Sequence, residues 1–148
     1  MTDKKYDKLK LENQLCFPIY AASREVIKLY RPYLDPLDLT YTQYITMMVI
    51  WEEKKINVKK LGKRLFLDSG TLTPVLKNLE SKGYIRRYRS SEDERVLYVE
   101  VTESGNRLKD RAVAVHDKMA EYVKLSDEET LQLYTLMYKL LKVNGITE

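Results

Sequence analysis

Cysteine occurs once in the 148 residues, as Cys16, and histidine once, as His116. A lone thiol cannot close an internal disulfide, and it cannot by itself build a thiolate zinc site. Long apolar runs are also missing. The longest, ITMMVIW at residues 45–51, is far short of the roughly 20 residues that a membrane-spanning helix requires. The first fifteen residues, MTDKKYDKLKLENQL, are polar and charged, unlike a secretory signal. Glycine is absent from the first 61 positions, which favours long helices there. No paired acids, glycine-rich phosphate loop or metal-ligand spacing surround His116. These absences argue against an enzyme, a metal site, a bound cofactor or a membrane protein. They point to a reduced, cytoplasmic chain of about one domain, with 44% hydrophobic and 32% charged residues.

What is present is an uneven charge. Residues 54–95 hold 12 Lys and Arg against 5 Asp and Glu, a net +7, whereas the rest of the chain holds 14 against 17, a net −3. A basic middle in an acidic frame fits a polyanion-binding module on a differently charged scaffold. A solvated lysine-rich surface is the plainer alternative.

The apolar spacing predicts the order α-α-α-α-β-β-α-α. Leu15, Ile19, Ala22, Val26, Leu29 and Tyr33 step by 4 and 3, a stripe of coiled-coil type, and RPYLDP (residues 31–36) is expected to end that helix. Thr40 and Gln43 form a capping box for the second helix. A third runs from Val58 to Leu65 behind Asn57. A fourth follows Asp68 or Ser69, carries Leu72, Val75, Leu76 and Leu79 on one face, and stops before Gly83. YIRRYR (84–89) and RVLYVEV (95–101), joined by SSEDE, predict a hairpin. Thr102 caps a helix with apolar steps Leu108, Ala112, Val115, Met119 and Tyr122, and Ser126 with Glu129 opens a last helix that is apolar over most of its circumference. The end helices carry more apolar surface than one small domain buries, so a homodimer is expected, with 8–34 and 103–144 as dimerisation helices.

Residues 40–102 have the layout of a winged helix-turn-helix, whose second helix enters the major groove. On that helix the face opposite the apolar stripe presents Gly70, Thr73, Pro74, Lys77 and Ser81, with Asn78 at its margin. Ser69, Gly70 and Thr71 at its start offer backbone N–H groups, hydroxyls and close approach to DNA. In the hairpin, Arg87, Arg89 and Arg95 are the candidate contacts, and Asp93 is placed to brace the Arg95 guanidinium. Pro74 leaves the Gly70 carbonyl without its helical donor.

The segment LxxRLFLDSGTLTPVLKNLESKGYIRRYRSSEDERVLYVEVTESG, with DER at 93–95 and VT at 101–102, resembles the core of the MarR family. LENQLCFPIYAASREVIKLYRPYLDPLDLTYTQY is similar to its OhrR/SarZ-type branch, whose members sense organic peroxides through a single cysteine. The resemblance runs from about Leu9 to Gly105. It implies a mainly α, dimeric winged-helix repressor of pseudo-palindromic operator DNA. It also implies that Cys16 is the sensing thiol, with Tyr30 and Tyr41 as its tyrosine partners.

From the residues themselves, Tyr20 lies one turn from Cys16 on the same face, where a phenol can donate to a thiolate. Tyr30 lies roughly 21 Å further along the same helix, at 1.5 Å per residue, so it can meet only the Cys16 of a partner whose first helix runs antiparallel. With no second cysteine, a sulfenic acid formed on Cys16 would be capped by a small-molecule thiol as a mixed disulfide. Pro18 departs from the family pattern and should kink the first helix or start it near Cys16. Other readings are a thiol peroxidase, a global virulence regulator acting through the same thiol, and a winged-helix adaptor. A further one is a regulator that takes an apolar or phenolic ligand near Tyr20, Tyr41 and Trp51.

Overall fold

The computed structural model describes residues 4–143, so residue 144, the end of the 103–144 stretch, lies outside the described residues. Two 3-10 turns, Asp7–Leu9 and Leu11–Asn13, precede α1 (Cys16–Leu34). The expected 8–34 segment is therefore α-helical only from Cys16. Upstream, the amides of Asn13 and Gln14 donate to the carbonyls of Asp7, Lys8 and Lys10, side-chain bonds that compete with a helical ladder. Pro18 falls in the first turn of α1, where no N–H donor is required, so the helix starts at Cys16 rather than kinking there.

As expected, α1 ends within RPYLDP, with Pro32 itself inside the helix. The helix continues to Leu34 and stops in a 3-10 turn, Asp35–Leu37, closed by Asp38 in the left-handed region at φ 53°. Proline inside a helix removes one donor, here the partner of the Lys28 carbonyl on an exposed side where water can replace it. Leu34, 2% exposed, is meanwhile anchored in the core.

α2 (Tyr41–Glu53) opens with the reciprocal Thr40–Gln43 capping box and runs through the middle of the fold, with Tyr44, Met47, Ile50 and Trp51 buried. Then come β1 (Lys55–Asn57), α3 (Val58–Leu65) capped by the Asn57 side chain, and α4 (Ser69–Ser81) capped by Asp68. Gly83, at φ 76°, takes the left-handed conformation that ends α4. β2 (Ile85–Arg89) and β3 (Leu97–Val101) pair antiparallel from Ile85↔Val101 to Arg89↔Leu97. The hairpin is thus as expected, but the sheet has three strands in the order β1-β3-β2. Ile56 of β1 lies opposite Val99 and is buried with it. Three residues between lysines give no periodic signal, and β1 exists only because β3 offers it an edge. α5 (Glu103–Ala120) follows the Thr102 cap, and Ser126 and Glu129 exchange capping bonds at the start of α6 (Asp127–Val143).

The core gathers α2, α3, α4, the inner face of the sheet and one side of α5. Leu108, Ala112, Val115 and Met119 are all buried there, so the α5 stripe serves its own chain. α1 and α6 are different. Only Leu34 of α1 is buried and no residue of α6 is. Val26, Ile27, Leu29, Leu131, Tyr134 and Leu136 are all exposed, leaving two apolar helix faces without cover. Among the described residues, no helix is long and apolar enough to cross a membrane.

The tightest backbone approach joins the wing to α5. A Cβ on Gly105 would lie 2.1 Å from the Tyr84 carbonyl oxygen, and the Gly105 carbonyl accepts a 2.8 Å bond from the buried Trp51 indole. Gly105→Ala should therefore destabilise the fold by about 3 kcal/mol, a fall in Tm of roughly 6–12 °C in a thermal melt.

Candidate functional site

α4 presents the face expected of it. Ser69, Gly70, Thr73, Pro74 and Lys77 are exposed. The Thr71 amide and hydroxyl bond to Asp68 at 2.8 and 3.2 Å, and the Thr73 hydroxyl donates to the Ser69 carbonyl at 2.7 Å. These bonds fix the threonine rotamers along the first turn while their oxygens keep acceptor capacity. Lys77 has no partner among the described residues. Asn78 is engaged within the fold: its side-chain oxygen accepts 2.8 Å from the Gln43 amide. Lys82 beside it contacts Asp38 and Gln43. The far end of α4 is thereby tied to the start of α2.

The wing divides its arginines. Arg95 is 91% exposed and held by Asp93 through both its Nε and Nη2, at 3.1 and 3.3 Å. This is the bracing expected from the sequence, and the Arg95 guanidinium holds the Asp93 carboxyl below its usual range. Arg89 donates to the Glu94 carbonyl, which shapes the loop. Arg87 departs from expectation. It points to the inner face and donates to Glu80 of α4 at 2.6 Å, with only 19% of its side chain exposed. It is a brace between wing and α4 and is not free for a phosphate. The sequence missed this because Glu80 reads as a solvated position on a helix margin.

The Arg87 side chain keeps Glu80 below the ordinary glutamate value of 4.5. The folded value is the depressed one, so the stabilisation is fully present above about 4.5 and is lost as pH falls through the folded value. Glu80→Gln should loosen the wing at neutral pH and flatten the acid limb of stability. Hydrogen exchange of the β2 amides, including that of Arg87, which donates to Glu80 at 2.9 Å, checks both.

Between α3, the start of α4 and the wing lies a cleft of about 620 Å³, lined by Lys59, Lys63, Asp68, Ser69 and Arg95 among others. Lys59 and Lys63 did not stand out in the sequence. Their one signal is an i, i+4 basic pair on a helix whose other side holds the buried Leu61.

The thiol lies elsewhere. Cys16 is exposed at the first residue of α1. Tyr20 is 61% exposed, with the Arg24 guanidinium 5.4 Å from its ring centre. Tyr30, near the other end of α1, packs on Tyr41 of α2 with ring centres 4.8 Å apart, and Tyr44 adds a third ring at 6.0 Å. Burial raises the Tyr30 phenol above its usual value; burial and then Tyr30 raise Tyr41. Both therefore remain O–H donors at neutral pH. The structure brings Tyr30 and Tyr41 together, and Cys16 and Tyr20 stand at the opposite end of α1. Within the single chain, neither Tyr20 nor Tyr41 borders the groove that Trp51 lines. Trp51 borders this open groove of about 530 Å³ with Met48, Val113 and His116. Among the described residues no cluster of His, Cys, Asp and Glu could hold a metal ion.

The family model described as transcriptional regulator SarA/Rot matches residues 28–112. The chain is 48% identical over 140 residues to the organic hydroperoxide resistance transcriptional regulator of Bacillus subtilis, covering 95% of each. It is 48% identical over 134 residues to the HTH-type transcriptional regulator SarZ of Staphylococcus haemolyticus, covering 90% of this chain and 91% of that one. Among solved structures it is similar to overoxidised AbfR bound to DNA, from Staphylococcus epidermidis. That likeness has a TM-score of 0.76 and 33% identity, over 94% of this chain and 98% of the other.

Proposed function

The chain belongs to the MarR-type family of winged-helix transcriptional regulators, within its OhrR/SarZ branch, and we propose that it is a homodimeric repressor whose grip on operator DNA is released by oxidation of Cys16. The observation that carries the switch is the separation along α1. Cys16 is exposed at one end, and the paired Tyr30 and Tyr41 phenols lie roughly 21 Å away at 1.5 Å per residue. An antiparallel partner brings the two ends together across a twofold axis. The apolar faces of α1 and α6 are the surfaces such a partner covers.

The chemistry is that of a thiolate. Its sulfur attacks the terminal oxygen of an organic hydroperoxide; the S–O bond forms as the O–O bond breaks, the hydroxyl stays on sulfur, and the departing alkoxide takes a proton from water to leave as the alcohol. Sulfur is oxidised to sulfenic acid and the peroxide is reduced. A low-molecular-weight thiol then displaces water from the sulfenic acid and leaves a mixed disulfide. One event per chain suffices, which distinguishes a sensor from a peroxidase.

Reading of DNA falls to Ser69, Gly70, Thr71, Thr73, Pro74 and Lys77 in the major groove and to Arg95, braced by Asp93, at the wing. Arg89 shapes the wing loop, and Asn78 and Arg87 hold the reading elements in place. Two reading heads must match half-sites about 34 Å apart, so an adduct lodged at the subunit junction displaces one head from register. A mobility shift on the promoter beside the protein's own gene tests this. The reduced protein retards the duplex, and an organic hydroperoxide plus a small thiol abolishes the shift. Retardation unaffected by the oxidant would sink the switch.

A further inference from the structure

Resting on the reading of the chain as a duplex-binding regulator, we infer that Lys59 and Lys63 form a seat for two consecutive phosphates of the DNA strand that passes between the recognition helix and the wing. A protein that places one element in the major groove and another in the adjacent minor groove must straddle the single backbone dividing them. Here that backbone has one place to lie. The cleft of about 620 Å³ has α3 as one wall, the start of α4 as another and Arg95 with Val96 and Leu97 of the wing as the third.

Its charge suits a phosphodiester. Both lysines are exposed, and neither amine meets a carboxylate among the described residues. The acid on the lining, Asp68, is turned to the amide and hydroxyl of Thr71 at 2.8 and 3.2 Å. Arg95 keeps its own carboxylate, Asp93. The spacing also suits one strand. Positions i and i+4 are about 6 Å apart along a helix axis, a step a strand covers in about one nucleotide once its tilt across the groove is added to the 3.4 Å rise. Lys60, the neighbour of Lys59, does not line the cleft; it lies in an adjoining groove with Lys55, Arg64 and Tyr98, which Lys63 also borders. It carries the same charge in the wrong place.

Phosphate contacts set affinity and register without reading sequence, and each contributes about 0.9 to the slope of log affinity against log salt. The test titrates the full-length protein with its promoter duplex and with a random-sequence duplex, from about 50 to about 200 mM potassium chloride. Lys59→Gln/Lys63→Gln should lower the slope by about 1.8 on both duplexes. The parent's advantage then shrinks roughly tenfold across that range, and discrimination between the duplexes stays the same. Lys60→Gln should change the slope by much less, and thermal melts of all variants should coincide with the parent. An unchanged slope in the double variant overturns the seat. So does an equal effect of Lys60→Gln, which would mean a diffuse field, or a loss confined to the promoter duplex, which would mean base contact. A parent that binds neither duplex removes the DNA-binding reading itself, and the seat with it.

Discussion

Cys16→Ser is expected to bind the operator within about twofold of the parent and to lose all response to organic hydroperoxide. The parent under the same treatment should weaken by about 100-fold, or about 2.7 kcal/mol, within the range of coupling energies between distant sites. The asymmetry follows from position. Cys16 is at the head of α1, far in sequence from α4 and the wing, and lies outside the proposed reading surface. Serine is smaller and forms no sulfenic acid, so it leaves the reduced geometry intact and removes the chemistry. The adduct matters because α1 and α6 are the uncovered faces. In the proposed dimer a group attached there would lie between two subunits, and packed interfaces shift between discrete arrangements rather than deform smoothly. Fluorescence anisotropy of labelled operator, with and without cumene hydroperoxide and cysteine, measures both numbers.

Arg95→Ala should cost the operator complex about 1–3 kcal/mol, about fivefold to more than a hundredfold in affinity, the range for an arginine that reads a groove. Arg95 is almost fully exposed yet its direction is fixed, because Asp93 holds its Nε and Nη2 at 3.1 and 3.3 Å and also accepts from its amide at 3.0 Å. On the proposed docking, the guanidinium would therefore arrive at DNA already oriented. Two further variants separate charge from orientation. Arg95→Lys keeps the charge but loses the fork, and should recover little of the affinity. Asp93→Ala keeps the arginine but frees it, and should cost less than Arg95→Ala. Equal affinity for all three variants and the parent would place the wing tip away from the duplex.

Much of this was legible in the sequence because it is encoded locally. Thr40 with Gln43, Asn57, Asp68, Thr102, and Ser126 with Glu129 each mark a helix start within a few residues, and every one of those caps forms. The α4 stripe and the Asp93–Arg95 brace are local in the same sense. What could not be read depends on distant partners. β1 is created by the free edge of β3, and Arg87 turns inward because Glu80 meets it. The α5 stripe has the same 4-3 spacing as the α1 stripe, yet one is buried in its own chain and the other is bare, since periodicity states that a face is apolar and not what covers it. The end of α1 within RPYLDP was legible as well, and Pro32 is carried inside the helix because the core contact of Leu34 outweighs one missing hydrogen bond. At the thiol, sequence spacing alone separated Cys16 from Tyr30, and the packing of Tyr30 on Tyr41 came only with the fold.

Mixed dimers test the central claim most directly. In the first, one chain carries Cys16→Ser with its tyrosines intact, and the other carries Cys16 with Tyr30→Phe and Tyr41→Phe. The lone thiol then faces the tyrosines of the opposite chain, and it should be oxidised by cumene hydroperoxide at the parent's rate. In the second, all three substitutions are on one chain and the other is the parent. Its lone thiol faces phenylalanines and should react as slowly as in the dimer that has lost all four phenols. The opposite ranking, or equal rates in the two mixed dimers, would mean that the phenols do not act on sulfur across the subunit boundary.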